Sequence, residues 1–218
     1  MRLIYLSAHL DDAVLSCGGL IYKQVKAGME VQVWTFFAAT PEGKPPEHYQ
    51  KRREEDMNAT GLLGAKFVHF DYLDALDRGY ARVLQPLFRE DDDLILSVSN
   101  ILKADLRPDD RVFCPLAVGK HVDHVILRLV CESLNLSGVR YYIDFPYVEY
   151  LPDALEPAAE KMPHYVVHVS VNGLEKWKDA VCEYKSQDLY KTQAITRQKI
   201  ADYWKPVHGI VLYEKEER

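Results

Sequence analysis

The chain has 218 residues, 27 Lys+Arg against 33 Asp+Glu for a formal net charge of −6, and a hydrophobic fraction of 48%. A net negative balance disfavours nucleic-acid binding, which draws its affinity from clustered cations against phosphate, and the apolar fraction excludes an intrinsically disordered chain. Cys17, Cys114, Cys131 and Cys182 lie far apart with no CxxC spacing, and no apolar run approaches the ~18 residues of a membrane span, so a cytoplasmic protein with reduced cysteines and no stable membrane insertion is expected.

The first apolar segment, Leu3–Ser7, reads as a strand, and Ala13–Ala27 as a helix stopped at Gly28. Val31–Ala38 follows as a second strand, with Trp34, Phe36 and Phe37 assigned to the core. Glu47–Leu63 is a charged helix whose expected buried stripe is Tyr49, Met57, Leu62 and Leu63, and Phe67–Phe70 is a third strand. Ser97–Ala104 ends another helix, Arg111–Cys114 is a fourth strand, His121–Leu134 a helix and Arg140–Ile143 a fifth strand. This βαβα rhythm, with strands lacking polar alternation, predicts an α/β fold: a Rossmann-like three-layer sandwich with a mostly parallel sheet and helices on both faces. Beyond it, Pro146, Pro152, Pro157 and Pro163 punctuate a loop-rich stretch, then Tyr165–Val169 reads as a strand and Leu174–Tyr184 as a helix. The residues after the prolines are few for a second core, so a single domain over 1–218 is expected.

Two polar clusters fall at the carboxyl ends of predicted strands, where open parallel sheets place their sites. His9, Asp11 and Asp12 follow the first strand, and His121, Asp123 and His124 follow the fourth. Either cluster alone is as well explained by helix starts, since Asp caps helix N-termini and paired histidines occur on solvated turns. Two at one sheet edge argue for a site. His9, Asp12 and His124 supply two imidazoles and one carboxylate, a hydrolytic zinc set with open positions, and leave Asp11 and His121 for proton transfer. From the residues alone, either member of each pair can be the ligand.

These residues resemble the PIG-L/LmbE-like zinc-dependent N-deacetylases, which act on N-acetylglucosamine-type sugars. Ala8-His9-Leu10-Asp11-Asp12 with Gly18-Gly19 is similar to the family's A-H-P-D-D and Gly-Gly pair. Arg52, Glu55, Ala59 and Leu63-Gly64 resemble its R-x-x-E-x-x-x-A and L-G element, Gly119, His121, Asp123 and His124 its G-x-H-x-D-H, and Lys178, Ala180 and Ser186-Gln187 its late segment. Leu10 and Val122 stand where the family usually has proline. The resemblance implies His9, Asp12 and His124 as metal ligands, Asp11 as general base, and protonated His121 on the oxyanion, oriented by Asp123. It further implies Arg52 on the substrate, and Zn2+ as cofactor, with Fe2+ or another divalent metal as the alternative. The implied partner is a small-molecule N-acetyl sugar, with no nucleic acid; oligomeric state is unreadable and a homo-oligomer stays open.

Outside the clusters, Tyr141, Tyr142, Phe145, Tyr147 and Tyr150 are candidates for the mouth of the site, as are the 144–163 and Thr40–Pro46 loops. Asp71 and Asp74 are within reach of it, and His69, His164 and His168 read as ordinary core or surface residues. Neither phosphate-binding glycine motif nor G-x-S-x-G is present, which disfavours nucleotide-dependent and serine-hydrolase chemistry. The alternatives to a deacetylase are a metal-dependent hydrolase of another amide or ester bond and a catalytically idle sugar-binding homologue.

Overall fold

β1 (Arg2–Ser7) is buried along its whole length, as a strand covered on both faces must be. Leu3 and Tyr5 enter one core, and Ile4 and Leu6 enter the other. The computed structural model describes residues 1–186 and 196–215; Gln187, half of the late Ser-Gln pair, lies outside the described residues. β2 (Glu30–Thr35) and β3 (Lys66–His69) extend the sheet on one side of β1, and β4 (Arg111–Pro115) and β5 (Arg140–Tyr142) on the other, all parallel. β7 (Gly209–Glu214) pairs antiparallel with β5 and with β6 (His164–His168), giving a seven-stranded order β3-β2-β1-β4-β5-β7-β6. The strand order reverses between β1 and β4, so the residues that follow those two strands face one crevice.

One face of the sheet is covered by α1 (Asp12–Lys26), α2 (Pro46–Leu63), α7 (Val171–Val181) and α8 (Arg197–Trp204). The other carries α3 (Asp91–Asp105) and α4 (Val122–Ser133), with the short α5 (Tyr147–Tyr150) and α6 (Leu155–Ala159) following β5. The Gly18-Gly19 pair lets α1 approach α7: a Cβ on Gly18 would lie 2.3 Å from Trp177 Cδ1, and one on Gly19 2.8 Å from Val169 Cγ1. Trp177 Nε1 in turn donates to the Val14 carbonyl at 2.7 Å. Among the described residues no helix is long and apolar enough to cross a membrane.

Two expectations change. Periodicity missed β7 and α8, because a late strand inserted antiparallel between β5 and β6 follows no βαβ spacing. The buried stripe of α2 is also not the apolar one: Leu63 is buried and Tyr49 half-buried, but Met57 and Leu62 are 42% and 44% exposed. Glu55 and Asp56 take the buried face instead. Glu55 accepts from the Ser186 N–H at 2.9 Å and hydroxyl at 2.6 Å, and Asp56 pairs with Tyr184 Oη at 2.7 Å and His69 Nε2 at 2.8 Å. Carboxylates are buried at acceptable cost where donors meet them, and here most donors arrive from the C-terminal third of the chain.

Candidate active site

The first cluster sits in the turn from β1 into α1. His9 N–H donates to Asp12 Oδ2 at 2.8 Å, the Ser7 hydroxyl donates to the His9 carbonyl at 2.7 Å, and both aspartates are buried. The second enters through a tight loop, Ala117–Lys120, in which Ala117 and Lys120 take left-handed backbone angles. His121 then caps α4, its Nδ1 accepting the Asp123 N–H at 3.2 Å, with His124 one turn later.

The two clusters meet. The His9 ring lies 4.8 Å from that of His121 and 5.5 Å from that of His124, centroid to centroid. His9 Nδ1 is 3.1 Å and His124 Nε2 3.2 Å from the same Asp12 Oδ2. Each imidazole is braced on its other nitrogen by a further carboxylate, His9 Nε2 by Asp123 Oδ2 at 2.9 Å and His124 Nδ1 by Asp144 Oδ1 at 2.5 Å. A carboxylate behind each ring fixes its orientation and raises its basicity, the arrangement metal-ligating histidines use.

Two groups of donor atoms are close enough to hold one ion, His9 with Asp12 and His124, and His9 with His121 and Asp123. The first fits better. His124 Nε2 is buried and makes no hydrogen bond, which leaves it for a cation. In the second, His121 Nδ1 already accepts the Asp123 N–H and Asp123 Oδ2 takes the Ala75 N–H at 3.0 Å, while Oδ1, though it makes no hydrogen bond, sits 2.8 Å from the competing positive charge of Arg78 Nη1.

Electrostatics follow from this crowding. Burial opposes charge on His9, but Asp12 and Asp123 overcome it and push the ring up to about 9. Burial and the neighbouring Asp12 push the Asp11 carboxyl up to about 7, partly offset by Arg52 and His9. Burial and the positive His9 and His124 drive His121 down to about 2. This environment disfavours the charged form of His121, and a ring whose Nδ1 accepts a backbone N–H has Nε2 left to donate. Asp123 reaches His121 through its backbone N–H, while its carboxylate holds His9.

The site opens into a cavity of about 210 Å³ lined by Asp11, Asp12, His9, His121 and Asp123, with His48 and Arg52 of α2, Tyr147 and Ser186. Arg52 Nε is buried without a hydrogen bond. Of the other sequence candidates, Asp74 lines the cavity, whereas Asp71 is exposed and pairs with Arg53. Tyr147 stands edge-on to His124, with centroids 5.3 Å apart, while Tyr141, Tyr142 and Phe145 are core and Tyr150 is half-exposed. The sequence singles out neither His48, Arg78 and the wall residues Ala75, Leu76 and Val83 nor Asp144, which it offers only as part of the 144–163 stretch just past a strand's carboxyl end.

Residues 4–134 match the family model described as PIG-L, GlcNAc-PI de-N-acetylase. The chain belongs to the PIG-L family. It is 29% identical over 163 residues to the 2'-N-acetylparomamine deacetylase of Streptomyces fradiae, a match covering 67% of this chain and 57% of that protein. The Niallia circulans 2'-N-acetylparomamine deacetylase is 26% identical over 227 residues, covering 85% and 80%. The fold is similar to that in the crystal structure of the zinc-inhibited form of teicoplanin deacetylase Orf2, with a TM-score of 0.75 at 23% identity over 98% of this chain and 97% of that one. Against the PIG-L pattern, the valine at position 122 has a physical consequence: its N–H donates to the Val83 carbonyl at 2.9 Å, a bond that proline cannot make.

Proposed function

We propose that this PIG-L chain is a divalent-cation-dependent hydrolase that removes the N-acetyl group from an N-acetylglucosamine-type sugar conjugate. One observation carries the reading: His9 Nδ1, Asp12 Oδ2 and His124 Nε2 converge, with both rings braced by carboxylates, beside Asp11 and His121 in a cavity. Three protein ligands of mixed nitrogen and oxygen, with open positions, suit Zn2+, and the same set accepts Fe2+. A cation held there supplies Lewis acidity, lowering the pKa of a water molecule and polarising the amide carbonyl.

The chain's own residues do the rest. Asp11, with its carboxyl raised by burial and by Asp12, takes the proton of the attacking water and hands it to the departing nitrogen as the C–N bond breaks. His121 donates from Nε2 to the oxygen on which negative charge develops. Arg52, with its buried and unpartnered Nε, meets a polar group of the sugar. Acetate and a free amine leave. The similarity to two proteins named 2'-N-acetylparomamine deacetylase supports removal of an N-acetyl group. Four free thiols, three of them buried, suit a reducing cytoplasm.

Acetate release from an N-acetylglucosamine conjugate tests the reading. Asp11→Asn is expected to lose about 10²- to 10⁴-fold in kcat while binding the cation as wild type does; undiminished turnover overturns the role of Asp11.

A further inference from the structure

One wall of the cavity, Asp74, Ala75, Leu76 and Val83, belongs to the segment between β3 and α3, which contains neither strand nor long helix. Its attachment converges on one carboxylate. Asp123 is fully buried; its Oδ2 accepts the Ala75 N–H at 3.0 Å and also holds His9 Nε2 at 2.9 Å. Its Oδ1 faces Arg78 Nη1 at 2.8 Å. Arg78 is 14% exposed on its side chain and donates to the Leu73 carbonyl at 2.7 Å and to Asp91 Oδ1 at 3.1 Å. Its guanidinium lies 5.1 Å from the Phe37 ring centroid and 5.5 Å from that of Tyr80. A second tether, the Val122 N–H on the Val83 carbonyl at 2.9 Å, ties the wall to the backbone just before Asp123.

We infer that Arg78 is a positioning residue that, through Asp123, couples the cavity wall to His9, so that substrate contact and cation binding depend on one ion pair. A wall that shifts must draw Asp123 with it, and Asp123 then no longer braces His9. The coupling rests on the proposed deacetylase activity for its substrate arm only, since cation affinity is read without substrate.

The test compares Arg78→Met and Arg78→Lys with wild type, measuring Zn2+ affinity against a competing chelator, and KM and kcat for acetate release. Arg78→Met is expected to weaken Zn2+ binding by about 10-fold, the lower end for groups behind a ligand, and to raise KM. Arg78→Lys, which keeps the charge but loses the planar fork, falls between the two and carries the test if Arg78→Met does not fold. A lowered Tm with Zn2+ affinity and KM unchanged in both Arg78 variants overturns the coupling, as does a change in only one of the two quantities. Absence of acetate release from wild type refutes the proposed function and leaves the affinity comparison to decide whether Arg78 braces His9.

Discussion

Asp144 grips His124 Nδ1 and, through its other oxygen, accepts the Val118 N–H at 2.9 Å, so one carboxylate sets both an imidazole and the loop that leads into His121. Asp144→Ala is therefore expected to weaken cation binding by about 10- to 100-fold, read by competition with a chelator; wild-type affinity in that variant contradicts the bracing role. The same residue marks the limit of what a sequence displays. His9, Asp11 and Asp12, and then His121, Asp123 and His124, were legible because each trio is local and chemically crowded. Asp144 and Arg78 stand alone in the chain and acquire meaning only from partners that the fold brings to them, 20 residues away for Asp144 and 45 for Arg78 (123 − 78).

At the scale of elements, α1 and α7 are separated by no more than a glycine pair allows. Gly18→Ala places a methyl group against the Trp177 ring, which is fully buried and bonded to Val14, so neither side yields cheaply. A destabilisation of about 1–3 kcal/mol is expected, seen as a lower Tm, and an unchanged Tm contradicts this close packing. The parallel strands and α1 were legible because apolar runs and helical periods alternate along the chain. α2 was misjudged on the assumption that a buried face is apolar; Glu55 and Asp56 are buried by Ser186 and Tyr184, 131 and 128 residues distant, which no window of sequence contains.

Across the whole molecule, Arg2 at the start of β1 and Asp110 just before β4 form a bidentate pair at the end of the sheet opposite the site, with Nε to Oδ1 at 3.1 Å and Nη2 to Oδ2 at 2.6 Å. Burial works against the Asp110 carboxylate, but the bonds from Arg2 and Arg107 hold it below its usual value of 3.8. Stability from this pair is present above the unfolded-state pKa and is lost as pH falls through the lower native value. The Tm difference between wild type and Asp110→Asn should accordingly be largest near neutrality and shrink below about pH 4; a difference that grows on acidification contradicts the assignment. The net charge of −6 takes on a local meaning as well: Asp11, Asp12, Asp123 and Asp144 stand around the His9 and His124 rings, and the cation proposed above would offset part of that excess. Stripping the protein of metal and following acetate release from an N-acetylglucosamine conjugate as Zn2+ or Fe2+ is added back tests the central claim most directly. The account predicts no turnover without metal and recovery that saturates near one equivalent; turnover that ignores the metal, or none at any metal level, would contradict it.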